Sequence, residues 1–94
     1  IMGYTFGHAG DGNVHFNIPG KKGDRKQWAE IDQLVQRLVS KALDLGGTAT
    51  GEHGVGLGKK KYMTGEHGKS LEWMKQIKAL FDPNGILNPG KIFP

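Results

Sequence analysis

The chain has 94 residues, and its 13 Lys and Arg residues against 9 Asp and Glu residues give a formal net charge of +4. A chain of this length forms one domain at most, and it buries only about 60% of the surface that its unfolded form exposes. The absence of cysteine excludes disulfides, thiolate zinc sites, iron–sulfur clusters and cysteine nucleophiles, so any metal must be held by nitrogen and oxygen.

Two short runs with aromatic and β-branched residues predict a β-hairpin at the start of the chain. They cover residues 4–8 and 13–18, and the pair Asp11-Gly12 lies between them. An Asp-Gly pair favours a two-residue type I′ turn, in which both central positions have positive φ. With this pair at the centre of the turn, His8 would lie directly opposite His15.

A long amphipathic helix is predicted from Asp24 to Leu45, because apolar residues recur there at intervals of three and four. Asp24 is the expected N-cap, and Gly46-Gly47 is the expected stop. The apolar positions of this helix are Trp28, Ile31, Leu34, Val35, Leu38, Val39, Ala42 and Leu45.

The rest of the chain is predicted to contain a short strand over Thr48–Thr50, a glycine-rich loop over 51–58 and a helical turn over 59–63. A second helix carries apolar residues at positions 71, 74, 77, 80 and 81, and it ends at Asp82 because Pro83 disfavours helix at the residue before it. The remaining residues, 86–94, are expected to form an extended tail.

These elements predict an α+β fold, with a small antiparallel sheet, flanking helices and an extended C-terminal tail. One or two helices cover only one face of such a sheet, so its other face would stay bare. Bare faces and unpaired strand edges favour self-association or a missing partner domain.

The hairpin carries a candidate metal site. Residues directly opposite each other in a hairpin have Cβ atoms about 4.5–5.5 Å apart, so His8 and His15 would both reach one ion. Asn17 points to the same face as His15, because side chains on a strand repeat every two residues. Two histidines leave a metal short of ligands, which predicts a third ligand further along the chain. The alternative is a pair of ordinary half-exposed sheet histidines.

The motif Thr-Gly-Glu-His-Gly occurs twice, at residues 50–54 and 64–68. A carboxylate beside an imidazole can present one group to a metal and the other to a substrate as a general base. Glu52 and His53 are the favoured pair, because they follow the predicted strand and open the glycine-rich loop. The second copy lies next to a helix, where Glu66 fits a helix-end role.

The glycine-rich loops match no phosphate-binding motif. Around Gly58-Lys59 a Walker A loop would need a glycine at position 53 and Ser or Thr at position 60, where His53 and Lys60 stand. The dinucleotide fingerprint lacks its third glycine. The segment over residues 82–91 is by composition either a plain tail or a place where Asn88 meets a ligand.

Three motifs occur in a fixed order: His-Ala-Gly-Asp-Gly-Asn-Val-His at 8–15, Thr-Gly-Glu-His-Gly-Val-Gly-Leu-Gly-Lys at 50–59, and Phe-Asp-Pro-Asn-Gly-Ile-Leu-Asn-Pro-Gly-Lys at 81–91. Their combination resembles the C-terminal part of the FAD-linked 2-hydroxyacid dehydrogenases, within the vanillyl-alcohol oxidase flavoprotein superfamily. That group includes D-lactate dehydrogenase (cytochrome), the glycolate oxidase catalytic subunit and D-2-hydroxyglutarate dehydrogenase. The resemblance implies that residues 1–94 are the last part of a ferredoxin-like cap domain, with a flavin-proximal segment at about 82–94 and without the FAD-binding domain.

The same resemblance implies a metal site. His8, His15 and Glu52 would bind a divalent ion, with zinc as the first choice, that polarises the 2-hydroxyl of a small 2-hydroxy acid. Loss of hydride from an alcohol carbon is easier when its oxygen is becoming an alkoxide, which a Lewis acid favours. Two imidazoles and one carboxylate also leave coordination positions open for a substrate.

Further roles follow from the resemblance. Asn17 would bind the substrate, His53 would take the hydroxyl proton as hydride moves to the flavin, and Asn88 would lie near the FAD. The chain alone is expected to be inactive, as a fragment or one piece of a split enzyme that needs its FAD-binding domain.

Two other function classes stay open. One is a small basic nucleic-acid-binding module that uses the lysine clusters together with Trp28, Tyr62 and Phe16, although Trp28 and Phe16 fall at core-like positions. The other is a non-catalytic metal-binding or dimerisation module. The absence of a signal-peptide pattern and of a long apolar run predicts no transmembrane segment. The same absence favours a cytoplasmic location, and the periphery of the inner membrane and the mitochondrial matrix are the alternatives.

Overall fold

The computed structural model describes residues 2–94, which form two compact units, the first ending at Glu52 and the second beginning at His53. The predicted α+β class is confirmed. The elements are β1 (Tyr4–His8), β2 (Asn13–Asn17), α1 (Arg25–Asp44), a 3₁₀ turn (Lys60–Tyr62), α2 (Met63–His67) and α3 (Ser70–Phe81).

The hairpin forms where predicted, but its register differs. His8 pairs with Asn13 and Phe6 pairs with His15, so the loop has four residues, 9–12, instead of two. The prediction that His8 lies directly opposite His15 is therefore wrong. A type I′ turn has positive φ at both central residues, whereas in the observed loop φ is positive at Gly12 (φ 70°) and not at Asp11.

Helix α1 confirms the predicted signals at both of its ends. The Asp24 side chain accepts a hydrogen bond of 3.0 Å from the backbone N–H of Gln27, which is the expected N-cap. At the other end Gly46 has φ 82°, and its N–H donates to the Leu43 carbonyl at 3.0 Å. Glycine is needed there because the helix ends in a left-handed residue.

The predicted strand over Thr48–Thr50 is wrong. Among residues 2–94 the sheet has two strands, β1 and β2. A strand exists only through its ladder of hydrogen bonds to a neighbour. The Thr48 hydroxyl instead donates to the Thr50 carbonyl at 3.3 Å within the segment itself.

The second unit contains the predicted helical turn, which is extended by α2, and the predicted helix α3, which ends at Phe81 just before Asp82-Pro83. Residues 82–94 contain no helix or strand. This segment makes turns, and it contacts an earlier part of the same unit through a hydrogen bond of 2.9 Å from Ile92 N–H to the Gly56 carbonyl.

The core is small, as the chain length predicts. Its buried apolar side chains are Ile31 in the first unit and Met63 and Leu71 in the second. Trp28 and Phe16 were expected at core-like positions, but they are 46% and 44% exposed, because the first unit has too little apolar material to cover them.

Candidate metal centre

Six side chains share one face of the hairpin, and the four of them nearest the loop surround the candidate site. Residues that pair across an antiparallel sheet point to the same side, and so do residues two apart on one strand. Phe6 and His8 on β1 therefore lie beside His15 and Asn13 on β2, and we call these four residues the hairpin patch. The two histidines occupy one diagonal of the patch, with ring centroids 6.3 Å apart.

Glu52 brings a carboxylate to this diagonal. Its Oε1 lies 2.8 Å from Nε2 of His15 and 3.9 Å from Nε2 of His8. One donor atom from each of the three residues lies within 4.8 Å of the other two. Across residues 2–94 this is the group of His, Asp and Glu side chains with the geometry to share an ion. The three residues named as metal ligands from the sequence are therefore brought together.

The donor set fits a divalent transition metal. Ligands about 2.0–2.2 Å from zinc lie about 3.3 Å apart in a tetrahedral site, and the observed separations of 2.8 and 3.9 Å bracket that value. Two imidazoles and a carboxylate form a set that suits zinc, manganese or iron. The His8 side chain is 63% exposed and that of Glu52 is 39% exposed, so a ligand from solution has access.

One member of the hairpin patch supports a histidine directly. The Phe6 ring stacks on the His15 ring, with centroids 5.0 Å apart and planes 13° from parallel. This contact restricts rotation of the imidazole, whose Nε2 faces Glu52. Sequence reasoning missed Phe6, although the alternation of side chains along β1 places it on the same face as His8.

The other predicted site residues have the following positions. Asn17 lies on the same face as His15, two residues along β2 and opposite Tyr4. His53 directly follows Glu52 in the chain and begins the second unit. Asn88 has a left-handed backbone (φ 47°) and lines a cavity of about 410 Å³ within the second unit, together with Lys75 and other residues of that unit.

The second copy of the repeated motif lies in α2, as a helix-end role requires. Glu66 Oε2 lies 3.3 Å from Nε2 of the neighbouring His67. In the part of the chain that the structure describes, no third His, Asp or Glu lies close enough to this pair for the three to share an ion. The first copy of the motif therefore contributes a carboxylate, Glu52, to the three-residue cluster, and the second copy does not.

Sequence reasoning treated Asp82 only as a helix stop, but it organises the segment after α3. Its buried carboxylate accepts hydrogen bonds from Lys78 Nζ and from the N–H groups of Ile86 and Leu87, the latter two at 3.1 Å. These donors, the lysine first, hold the pKa of Asp82 below its usual value. The signal in the sequence is a lysine four residues before the aspartate, a spacing that brings side chains together on a helix.

Comparison with known proteins identifies the class of protein. The family described as FAD linked oxidases, C-terminal domain, matches residues 1–92. The chain belongs to this family, which favours the flavoenzyme interpretation over a nucleic-acid-binding module.

Its relatives carry particular activities in their names. The chain is 49% identical over 88 residues to the mitochondrial D-lactate dehydrogenase [cytochrome] of Arabidopsis thaliana, covering 93% of this chain and 16% of that protein. It is 46% identical over 90 residues to glycolate oxidase subunit GlcD of Bacillus subtilis, covering 95% of this chain and 19% of that protein. It is 44% identical over 96 residues to D-2-hydroxyglutarate dehydrogenase of Stutzerimonas stutzeri, covering 94% of this chain and 20% of that protein. The chain thus spans about a fifth or less of these relatives.

Among residues 2–94, no helix combines the length and the apolar character needed to cross a membrane.

Proposed function

We propose that this chain is the C-terminal part of an FAD-dependent D-2-hydroxyacid dehydrogenase of the D-lactate or glycolate type, which oxidises a 2-hydroxy acid to a 2-oxo acid by hydride transfer to flavin. The observation that carries the proposal is the convergence of His8, His15 and Glu52 donors within 4.8 Å. The family and the names of the relatives point to the same reaction class.

His8, His15 and Glu52 would hold the divalent metal, with zinc as the first choice. When bound, such an ion supplies Lewis acidity, which lowers the pKa of a coordinated hydroxyl. The chain contributes two neutral nitrogen donors and one negative oxygen donor. The exposure of His8 and Glu52 leaves the open side of the site to the substrate.

His53 is the proposed proton acceptor and Asn17 the proposed substrate-binding residue. A base must lie near the metal ligands to take the hydroxyl proton, and His53 is adjacent to Glu52 in the chain. Asn17 shares the face of the hairpin patch, where its amide group can donate to and accept from a hydroxy acid.

FAD would be bound mainly by an FAD-binding domain, and Asn88 would lie near it. The cavity beside Asn88 also contains Lys75 and Lys91, which suit an anionic group. Without that domain the 94 residues have no electron acceptor, so we expect the isolated chain to be inactive. We also propose that the protein is located in the cytoplasm or the mitochondrial matrix, where it can associate with the periphery of a membrane.

The metal site is tested by elemental analysis and titration calorimetry with zinc chloride. We expect one ion per chain, and a loss of affinity of about 100-fold or more in each of His8→Ala, His15→Ala and Glu52→Ala, because each variant removes one of three ligands. The control is His67→Ala, which removes the histidine of the repeated motif that lies outside the site. Binding that depends on His67 and not on the other three would refute the assignment.

The reaction is tested in a longer protein that includes the FAD-binding domain. Under anaerobic conditions D-lactate or glycolate should bleach the flavin absorbance, and His53→Ala should slow this reduction while leaving zinc stoichiometry unchanged. Loss of zinc in His53→Ala would instead make His53 a ligand. Failure of every 2-hydroxy acid to reduce the flavin would contradict the proposed reaction.

A further inference from the structure

We propose that Asn13 and Gly51 form a positioning pair, which sets the carboxylate of Glu52 against the two histidines. The inference rests on the proposed metal site and concerns two residues outside its ligand set. Asn13 belongs to the hairpin patch, where it lies opposite His8. Gly51 immediately precedes Glu52 in the chain.

The close approach of the two residues carries the inference. A Cβ added at Gly51 would overlap Oδ1 of Asn13 and would lie 2.8 Å from its Cγ. Real Cβ atoms do not approach other atoms so closely, so the space that a side chain would need at position 51 is filled by the Asn13 amide. The φ of Gly51 is not positive, so its backbone conformation is open to any L-residue. In this arrangement the Asn13 amide, and not the backbone conformation, leaves no room for a side chain at position 51.

The place of this contact explains how a distant carboxylate reaches the hairpin. Glu52 is 37 residues from His15 in the sequence, yet their side chains lie 2.8 Å apart. Asn13 is partly buried, and it lies on the same face and the same strand as His15, two residues away. The backbone just before Glu52 thus contacts a side chain of the strand that carries His15, on the face that carries both histidines.

A displaced Gly51 would move the carboxylate away from its partners. Metal–ligand distances in a formed site lie within about 0.2 Å of their usual values. Relief of the overlap in Gly51→Ala requires a shift of either the Asn13 amide or the loop, and a shifted loop must be brought back before Glu52 can bind the ion at that distance. Changes in residues that orient a ligand weaken metal binding by about 10- to 100-fold. We expect a loss of this size in zinc affinity for Gly51→Ala.

The first experiment is calorimetry with zinc chloride on the unsubstituted chain, Gly51→Ala, and a double variant that also carries Asn13→Ala. The Cβ of Asn13 lies 3.5 Å from the added Cβ, an ordinary contact, so truncation of Asn13 to alanine makes room. The double variant should regain affinity to within about fivefold of the unsubstituted chain if the pair acts by fit. The matched control is Gly10→Ala in the hairpin loop, where an added Cβ meets nothing within 4 Å and φ is not positive.

The second experiment is independent of metal. In the metal-free chain, nuclear Overhauser contacts between the His15 ring protons and the Glu52 side chain should be present, lost in Gly51→Ala and restored in the double variant. Cross-strand contacts between β1 and β2 show in each variant whether the hairpin has folded.

Two results would overturn the positioning pair: unchanged His15–Glu52 contacts in Gly51→Ala, or no recovery in a double variant whose hairpin is intact. Failure of the unsubstituted chain to bind zinc would refute the metal part of the proposed function. The metal-free contacts would then still decide the role of Asn13 and Gly51.

Discussion

Phe6 has no donor atom, but it contacts a residue of the candidate metal centre. Its ring lies 5.0 Å from that of His15 and nearly parallel to it. Stacked aromatic pairs contribute about 0.5–1.5 kcal/mol beyond the burial of their surface. In the hairpin patch, stacking on Phe6 stabilises the orientation of the His15 imidazole in which Nε2 faces Glu52.

Replacement of Phe6 by leucine should therefore weaken zinc binding by about 2- to 10-fold, the range that corresponds to the stacking energy. Calorimetry measures the change, and loss of the upfield ring-current shift of the His15 ring protons reports the lost stack before metal is added. Tyr4→Leu is the matched control, because Tyr4 is an exposed aromatic residue on the same face, opposite Asn17. Equal effects of the two variants would show that Phe6 acts only through hairpin stability.

Asp82 illustrates how a polar residue at a helix end fixes the chain that follows. The carboxylate is buried and accepts hydrogen bonds from Lys78 and from two backbone N–H groups, and these bonds lower its pKa. A carboxyl group whose pKa is lower in the folded state stabilises that state at a pH above its unfolded pKa of about 3.9. This stabilisation is lost as the pH falls through the lower, folded-state pKa.

Asp82→Asn should thus lower the unfolding temperature of the second unit at pH 7, and the difference from the unsubstituted chain should shrink as the pH falls below the unfolded pKa and through the lower folded-state pKa. Thermal unfolding followed by Trp73 fluorescence, in a Trp28→Phe background, measures this difference across pH. Glu72→Gln is the control, since this carboxylate on α3 is exposed and its pair with Lys75 is a surface ion pair. A difference that stays constant from pH 7 down to the lowest pH at which the second unit is still folded would refute the role of the Asp82 charge.

The elements differ in how far the sequence predicts them. Helix α1 follows from three local signals: its apolar periodicity, the N-cap Asp24 and the helix-ending Gly46. The structure shows each of these residues in its predicted role. The sequence predicts the position of the hairpin but not its register. The register depends on the turn type, and the turn type depends on whether φ is positive at Asp11. The prediction that His8 and His15 share one face is nevertheless confirmed, since a shift of two residues in the register leaves them on the same side of the hairpin. Thr48–Thr50 was predicted wrongly because a strand depends on a partner that local sequence does not contain.

The sequence names the three residues of the candidate metal centre, but it does not name the residues that contact them. Motif and resemblance together name His8, His15 and Glu52. The contact of Asn13 with Gly51 joins segments far apart in the sequence, and no periodicity or spacing encodes it. Side-chain alternation places Phe6 on the right face, but only the observed register places it against His15.

At the scale of the whole molecule, the exposed apolar surface is large for a chain of 94 residues. Helix α3 carries an apolar stripe, which we define as Trp73, Ile77, Leu80 and Phe81, with side chains 59–79% exposed. These residues follow the spacing of one helix face, opposite the buried Leu71. Contiguous apolar surface of this kind is found where proteins associate.

We therefore expect the isolated chain to self-associate, with a sedimentation coefficient that rises with concentration. Leu80→Glu places a charge in the stripe, and it should shift the equilibrium towards monomer because burying an unpaired carboxylate in an interface is unfavourable. Ala79→Glu is the matched control, an equal charge on an exposed position of the same helix outside the stripe. Sedimentation velocity at several concentrations compares the two variants. A monomer at every concentration would refute self-association, whereas equal effects of the two charges would place the contact elsewhere, with the bare hairpin as the next surface to test.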